Sequence, residues 1–381
     1  MKILHVYKDY HPVLGGMENH IKMLAESQVQ LGHEVTVLVT HPTITTHKET
    51  IKRVKVIKAG RLTTVASTPI SLSLPILLSR ERPDVVHLHS PYPIGEISQL
   101  YFGKAKKVLL TYHSDVIRQK GLLRFYKPFL KKILSVSDQI IVTSENYMKS
   151  SPHLHDFIHK CTVIPLGIDL SPFLQRDSKN ADSIKQRYGS PIILFVGKLR
   201  YYKGLQYLLE AMSNISAKLI VIGNGPMEKE WRNFASMLNM HDKVFFLGEI
   251  GGDQLSAYYQ AADIFVLPAC ERSEAFGLVQ VEAMASGLPV ISTELGTGTS
   301  FVNKNEVTGL VVRPKDSNLL RDGILYLINN PTLRRKMGNS GRERAINEFS
   351  LGTMIERVMN LYSRILCTAG HNPPFNLSMK D

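Results

Sequence analysis

Two spacings of apolar residues alternate along the chain. The runs "KILHVY", "EVTVLVT", "DVVHLHS", "KVLLTYHS" and "QIIVTSE" in the first half have the length and β-branched content of buried strands, as do "PIILFVG", "AKLIVIG", "KVFFLGE", "IFVLPA", "PVISTE" and "GLVVRP" in the second. Between them lie stretches with helical spacing: "GGMENHIKMLAESQVQLGH", predicted to end near Gly32, then "GLQYLLEAMSNI" and "LSAYYQAAD". Strand–helix units repeated at this length predict parallel sheets. The alternation restarts after "VIPLGIDLSPF" (Val163–Phe173), where Pro165, Gly167 and Pro172 mark a linker. The pattern therefore predicts an α/β protein of two doubly wound, Rossmann-like domains, residues 1–168 and 169–350. A final helix, "LGTMIERVMNLYSRIL", is expected within 351–367 and to pack back toward the first domain, with a disordered tail over 368–381. Open parallel sheets bind ligands beyond the carboxyl ends of their strands, so the two domains are expected to face a central cleft.

A chain of 381 residues with 44% apolar content can fill two cores. Cys161, Cys270 and Cys367 lie too far apart for a metal-ligand spacing or a disulfide framework, which points to a reducing compartment. The N-terminus enters a strand at once, and the uncharged stretch Leu62–Ser79 is broken by Pro69 and Pro75, so neither a signal peptide nor a membrane span is expected. A cytoplasmic protein follows, with peripheral attachment to the inner face of the membrane left open. The net charge of +13 is uneven: residues 1–190 hold 26 Lys+Arg and 15 Asp+Glu (+11), leaving 20 and 18 (+2) for the rest. Residues 104–132 alone hold nine basic residues and one acid. Either an acidic partner or a solvated face explains the excess.

The stretch "RSEAFGLVQVEAMASGLPV" (Arg272–Val290) carries the sharpest chemical signal. Glu282 lies inside a short apolar helix bounded by Gly277 and Gly287, and Glu274 precedes that helix. A carboxylate among apolar residues is costly unless something pairs with it. The first helical amides, around Phe276, Gly277 and Leu278, lack intrahelical partners and attract anions. Carboxylates beside an anion seat would repel the anion, so they are expected to address uncharged vicinal hydroxyls of a sugar or ribose. The alternative is a buried Lys or Arg for Glu282 and helix capping by Glu274.

Weaker signals accompany it. Lys198 and Lys203 in "VGKLRYYKG" flank a turn past a strand end and suit a diphosphate, although no Walker loop is present. Gly223 and Gly225 in "VIGNGPM" allow close backbone approach to a ligand, and Gly15 and Gly16 open the first helix. His113 and His89 end strands on the expected cleft side, where a structural hydrogen-bonding role competes with a functional one. Residues 116–134 interleave basic and apolar positions, as an interfacial helix on anionic lipid or a surface helix with a core stripe would; Pro128 is expected to kink it or divide it. D-x-D, His/Cys clusters and G-x-S-x-G are absent from the sequence, so no metal is expected.

In order along the chain, "LGGMENH", "PDVVHLH", "VIPLGID", "VGKLRYYKG", "VIGNGP", "FLG", "RSEAFGLVQVEAMASGLPVIST" and "VTGLVV", with Glu274 and Glu282 as an E-x7-E pair, resemble the retaining glycosyltransferases of family 4. The resemblance implies the two-domain GT-B fold and a metal-independent transfer of a hexosyl unit from a nucleotide sugar, GDP-mannose or a UDP-sugar, to a glycan or lipid-linked acceptor. It implies that Glu282 holds the ribose and Glu274 the sugar hydroxyls. Amides at Phe276, Gly277 and Leu278 would meet sugar and diphosphate, with Lys198 and Lys203 neutralising the diphosphate and Gly16, Gly223 and Gly225 lying close to the donor. His113 matches the histidine that contacts the sugar, and the first domain would bind the acceptor.

Two positions depart from the family pattern. Lysine stands at 198 where arginine is usual, which removes the bidentate fork, and "ELGTGTSFVN" replaces a Gly-Gly-x-x-Glu loop. The variant resembles bacterial enzymes that build surface polysaccharide, often from mannose donors. The competing readings are a nucleotide-sugar epimerase on the same scaffold, a non-catalytic membrane-associated binding protein and, last, a nucleic-acid binder, for which the chain has no reading module. No nucleic-acid partner is expected.

Overall fold

The computed structural model describes residues 1–13, 15–116, 120–175 and 177–367. Two compact units result: residues 1–143, 151–165 and 352 onward form one, and residues 144–150 and 166–351 the other. The expected tail 368–381 lies outside the described residues.

In the first unit the strands are β1 (Lys2–Val6), β2 (Glu34–His41), β3 (His47–Ile51), β4 (Val54–Gly60), β5 (Thr63–Val65), β6 (Thr68–Ile70), β7 (Val85–Ser90), β8 (Lys107–Tyr112), β9 (Gln139–Val142) and β10 (Cys161–Val163). Eight of them form one sheet in the order β10-β9-β8-β7-β1-β2-β4-β3, and β5 pairs with β6 separately. All neighbours in the large sheet are parallel except β3 and β4. This edge hairpin was not expected from the apolar pattern, because "HKETI" is almost wholly exposed and carries no hydrophobic run. β7 is buried along its whole length, as a parallel strand covered on both faces must be. The helix Gly16–Gln30 follows β1, with Gly32 in a left-handed turn after it.

The helix Lys120–Val136 runs through Pro128 as one element, so the proline does not divide it. Among its described side chains, Tyr126, Leu130, Ile133 and Leu134 are buried and Arg124, Phe125, Lys127, Lys131 and Lys132 are exposed. Its apolar stripe therefore packs into the unit. Residues 117–119 of the expected amphipathic segment lie outside the described residues. The closing helix Leu351–Cys367 clusters with the first unit from Gly352 and buries Met354, Ile355, Val358, Leu361 and Tyr362.

The second unit has a six-stranded, all-parallel sheet in the order β13-β12-β11-β14-β15-β16. Its strands are β11 (Ile192–Val196), β12 (Lys218–Ile222), β13 (Val244–Gly248), β14 (Ile264–Leu267), β15 (Val290–Thr293) and β16 (Gly309–Val312). Phe195, Leu208, Leu209, Val221, Trp231, Ile264, Ile291 and Ile324 lie in one continuous core. The chain passes between units at 165/166, three residues before the predicted boundary, and residues 144–150 join the second unit rather than the first. The side chain of Arg272 accounts for this: its guanidinium donates to Ser150 Oγ at 3.0 Å and lies 5.1 Å from the centre of the Tyr147 ring.

The loops after β11 and β12 pack backbone against backbone. Gly223 has φ +127°, and a Cβ there would overlap the Gly197 carbonyl; one at Gly225 would overlap the backbone of Leu199. The backbone at these glycines thus packs closely against a neighbouring loop at the carboxyl ends of two strands. At Gly16, by contrast, a Cβ meets no atom within 4 Å. Gly223→Ala is expected to cost about 1–3 kcal/mol, the usual scale of overpacking, and Gly16→Ala well under that. Urea unfolding midpoints of the two variants check the difference.

Candidate active site

In the second unit the site is built on an ion pair. β11 ends in a loop whose short 3-10 turn, Tyr201–Lys203, leads into the helix Leu205–Met212. This brings the Lys203 ammonium to 2.6 Å from Glu274 Oε2, in the loop after β14, with both side chains 9% exposed. Burial alone would pull the lysine pKa down; the charge of Glu274, the hydrogen bond to it and the smaller pull of Glu282 outweigh burial, and the pKa is raised. Lys203 is therefore held as a cation. The expected partner for Glu274 was a ligand hydroxyl, and for Lys203 a diphosphate; in the structure the two side chains pair with each other, and removing either would leave the other an uncompensated buried charge.

Glu282 sits on the helix Leu278–Ala285, half-buried. Its Oε2 accepts a hydrogen bond of 2.7 Å from the Tyr259 hydroxyl. Burial pushes its pKa up to about 7, against the opposing pull of that hydrogen bond and of the Lys203 charge. The carboxyl therefore changes charge near neutrality. Tyr259 was not singled out in the sequence, since "LSAYYQAAD" reads as a core-facing helix, and the residue is indeed fully buried apart from its role here.

Gly277 caps this helix with φ +78°, and a Cβ there would crowd Gln280 Nε2 and Leu267 Cδ2. The Gln280 N–H that follows donates to the Gly277 carbonyl at 2.9 Å, while the Leu278 and Val279 N–H groups have no carbonyl one turn earlier in the helix to accept from them. Phe276 is buried, its ring 5.9 Å from that of Phe349, so only its backbone is available to a ligand. Lys198, on the same loop as Lys203, is exposed. The segment that departs from the family pattern braces Glu274: Thr297 Oγ1 donates to the Glu274 carbonyl at 2.8 Å, and the Gly298 amide donates to the Ala275 carbonyl at 2.7 Å.

In the first unit His113 is not a lone histidine. Parallel pairing sets His5 of β1 opposite His87 of β7, and the order β8-β7-β1 brings His113, just past β8, to the same face. His5 Nδ1 lies 3.1 Å from His89 Nε2, and His89 Nδ1 lies 3.2 Å from His113 Nε2. His20, from the helix Gly16–Gln30, packs edge-on against His89 and His113. Burial pushes the pKa of His5 and of His113 down to about 4. His20, His87 and His89 are also lowered by burial and then by neighbouring histidines of the cluster, His5 and His113 among them. Within each of the triads His5, His87 and His89, and His20, His89 and His113, one ring nitrogen of each residue lies within 4.8 Å of the others. The sequence shows no such cluster because only the i, i+2 pair in "HLH" is local; the rest meet through sheet order.

Residues 14–172 match the family profile Glycosyltransferase Family 4, and residues 177–344 match Glycosyl transferases group 1. The O-antigen chain mannosyltransferase C of Escherichia coli is 33% identical over 369 residues, 96% of this chain and 99% of that protein. The chain belongs to glycosyltransferase family 4. A second relative of the glycosyltransferase, the D-rhamnosyltransferase WbpZ of Pseudomonas aeruginosa, is 34% identical over 353 residues, 90% and 91% of the two chains. Solved structures share the fold. Sucrose-phosphate synthase from Thermosynechococcus elongatus matches with a TM-score of 0.77 at 23% identity, covering 96% of this chain and 99% of that one. HepE from Anabaena, solved in complex with UDP, matches with a TM-score of 0.77 at 17% identity, covering 96% and 100%. The glycosyltransferase therefore has the GT-B fold. Among its described residues no helix is long and apolar enough to cross a membrane.

The histidine cluster gives the glycosyltransferase a pH dependence of known sign. His5 and His113 have a pKa of about 4 when folded and an ordinary value of 6.5. The native state then binds fewer protons than the unfolded one, so the stabilisation is complete above pH 6.5 and is lost as pH falls toward 4. Each histidine contributes on the order of 1.4 kcal/mol per pH unit across that window. Urea unfolding at pH 7.5, 6 and 5 is expected to show a falling midpoint; a flat profile would contradict the buried neutral imidazoles.

Proposed function

We propose that the glycosyltransferase moves a manno-configured hexosyl unit from a nucleoside diphosphate sugar to a glycan or lipid-linked acceptor in surface-polysaccharide assembly. Transfer retains the anomeric configuration and needs no metal ion. The observation that carries this reading is the enclosed group Lys203, Glu274, Tyr259 and the half-buried Glu282 beside the start of the helix Leu278–Ala285. The two relatives add the sugar: one is named for mannose and the other for D-rhamnose, its 6-deoxy counterpart.

In this reading a diphosphate competes with Glu274 for the Lys203 ammonium. Lys198 and the first helical amides share the charge that grows on the leaving group as the glycosidic bond breaks. Glu274, relieved of part of its ion pair, accepts from hydroxyls of the transferred sugar. Glu282 keeps Tyr259 on one oxygen and accepts from a ribose hydroxyl on the other. His113 adds a hydrogen bond to a sugar hydroxyl, Gly16 leaves room for a phosphate beside the first helix, and the first unit binds the acceptor.

A panel of GDP-, UDP-, ADP- and dTDP-sugars tests the reading by thermal shift. A donor at about 100 times its Kd adds about 2.7 kcal/mol of stability. One base class is expected to stabilise the wild type and to lose most of that effect in Glu282→Gln. Because Glu282 has a pKa of about 7 before donor binds, donor affinity should also rise from pH 6 to pH 8. Unchanged turnover in Glu282→Gln would sink the assignment.

The same protein is proposed to touch an anionic membrane through the outer side of the helix Lys120–Val136. Phe125 is 77% exposed there, among the exposed Arg124, Lys127 and Lys132. An apolar ring amid cations suits a headgroup boundary. Phe125→Ser and Lys132→Glu should each reduce co-sedimentation with phosphatidylglycerol vesicles. Equal pelleting with neutral vesicles would count against it.

A further inference from the structure

The histidines of the first unit form a chain with two ends. Gln28, fully buried on the helix Gly16–Gln30, places its Oε1 at 2.8 Å from His5 Nε2. From His5 the contacts run through His89 to His113 at 3.1 and 3.2 Å, each pairing one ring nitrogen with one other. Gln28 is anchored on its other side, where Nε2 donates to the Tyr362 hydroxyl at 3.4 Å. Tyr362 lies 2.7 Å from His87 Nδ1, and His87 Nε2 lies 2.6 Å from Thr111 Oγ1. The closing helix Leu351–Cys367, through the Tyr362 hydroxyl, thus gives the buried amide nitrogen an acceptor when Oε1 faces His5.

A neutral imidazole has one N–H and one lone pair, so a chain of them has a direction. The Gln28 carbonyl oxygen only accepts, and His5 must donate to it from Nε2. His5 Nδ1 is then a lone pair and takes the proton of His89 Nε2. His89 Nδ1 in turn takes the proton of His113 Nε2. The only nitrogen left at the end of the chain is His113 Nδ1, unprotonated.

We propose that Gln28, His5 and His89 are positioning residues that fix the tautomer of His113, so that its Nδ1 is presented to the transferred sugar as a hydrogen-bond acceptor. This rests on the reading above that His113 meets the sugar. Burial keeps His5 and His113 neutral at pH 7, as such a chain requires, because an imidazolium has no lone pair to pass on. The ligand group it selects is a hydroxyl that donates. A sugar whose hydroxyl at that position is replaced by hydrogen or by an ether leaves the nitrogen unsatisfied and is discriminated against.

The test is 15N spectroscopy of the full chain labelled at histidine, with Gln28→Met as the variant. In the wild type His113 is expected to show a protonated Nε2 and an unprotonated Nδ1. In Gln28→Met, which has no strong acceptor, the two nitrogens should shift toward averaged values, and kcat should fall about tenfold, the worth of one hydrogen bond. A protonated Nδ1 in the wild type, or an unaltered His113 signature in Gln28→Met, would overturn the proposal. So would a change in the wild-type spectrum on treatment with EDTA, which would mean that a metal ion and not a proton joins these nitrogens. If Gln28→Met does not fold, the wild-type tautomer and the EDTA comparison still decide. Donor binding is read separately by thermal shift: correct tautomers with no donor binding would leave the chain standing and remove the role assigned to His113.

Discussion

The buried contact between Lys203 and Glu274 is the constraint on which the arrangement of the second unit's candidate site depends. Neither charge could remain there alone, since an unpaired ion in a site this enclosed costs several kcal/mol. Together they fix the loop after β11 against the loop after β14, and thereby place two strand ends and a helix start around one cation. Glu282 completes the arrangement with a different kind of partner, a phenol, and keeps a pKa of about 7. One cation paired with one carboxylate, with a second, easily protonated carboxyl within range of its charge, is an arrangement that leaves no charge isolated.

The first unit solves the same problem without charge. Its polar interior is a set of imidazoles, an amide, a phenol and a threonine hydroxyl, joined at 2.6 to 3.4 Å. Burial holds the imidazoles neutral, so the network depends on donor and acceptor matching rather than on ion pairing. It draws on β1, β7, β8, the first helix and the last helix at once. That makes the return of the closing helix to this unit a chemical requirement as well as a packing one.

Several features that look dispensable in the sequence hold these two sites in place. The loop that departs from the family pattern supplies Thr297 and Gly298 as hydrogen-bond donors to the backbone at Glu274 and Ala275, so the change there leaves the carboxylate braced. Gly223 and Gly225 serve loop-on-loop packing, and their conformations follow from the crowding of neighbouring backbone. The basic helix Lys120–Val136 spends its apolar stripe on the core, and its outer face carries what charge and exposed aromatic surface it has.

The sequence by itself determined the alternation of strands and helices, the presence of two α/β domains and the family, and it singled out Glu274, Glu282, Lys198 and Lys203 as candidates, because periodicity and ordered short motifs are local properties of a chain. It placed His113 at a strand end, but as an isolated residue. Only the tertiary structure decided the partners: Lys203 with Glu274, Tyr259 with Glu282, and Gln28, His5 and His89 behind His113. These pairs are 71, 23, 23, 84 and 24 positions apart in the chain. Sheet order and register bring them together, and neither is encoded in the spacing of any one segment. The polar hairpin β3–β4 stayed hidden for the complementary reason, since an exposed edge strand has no apolar pattern to read.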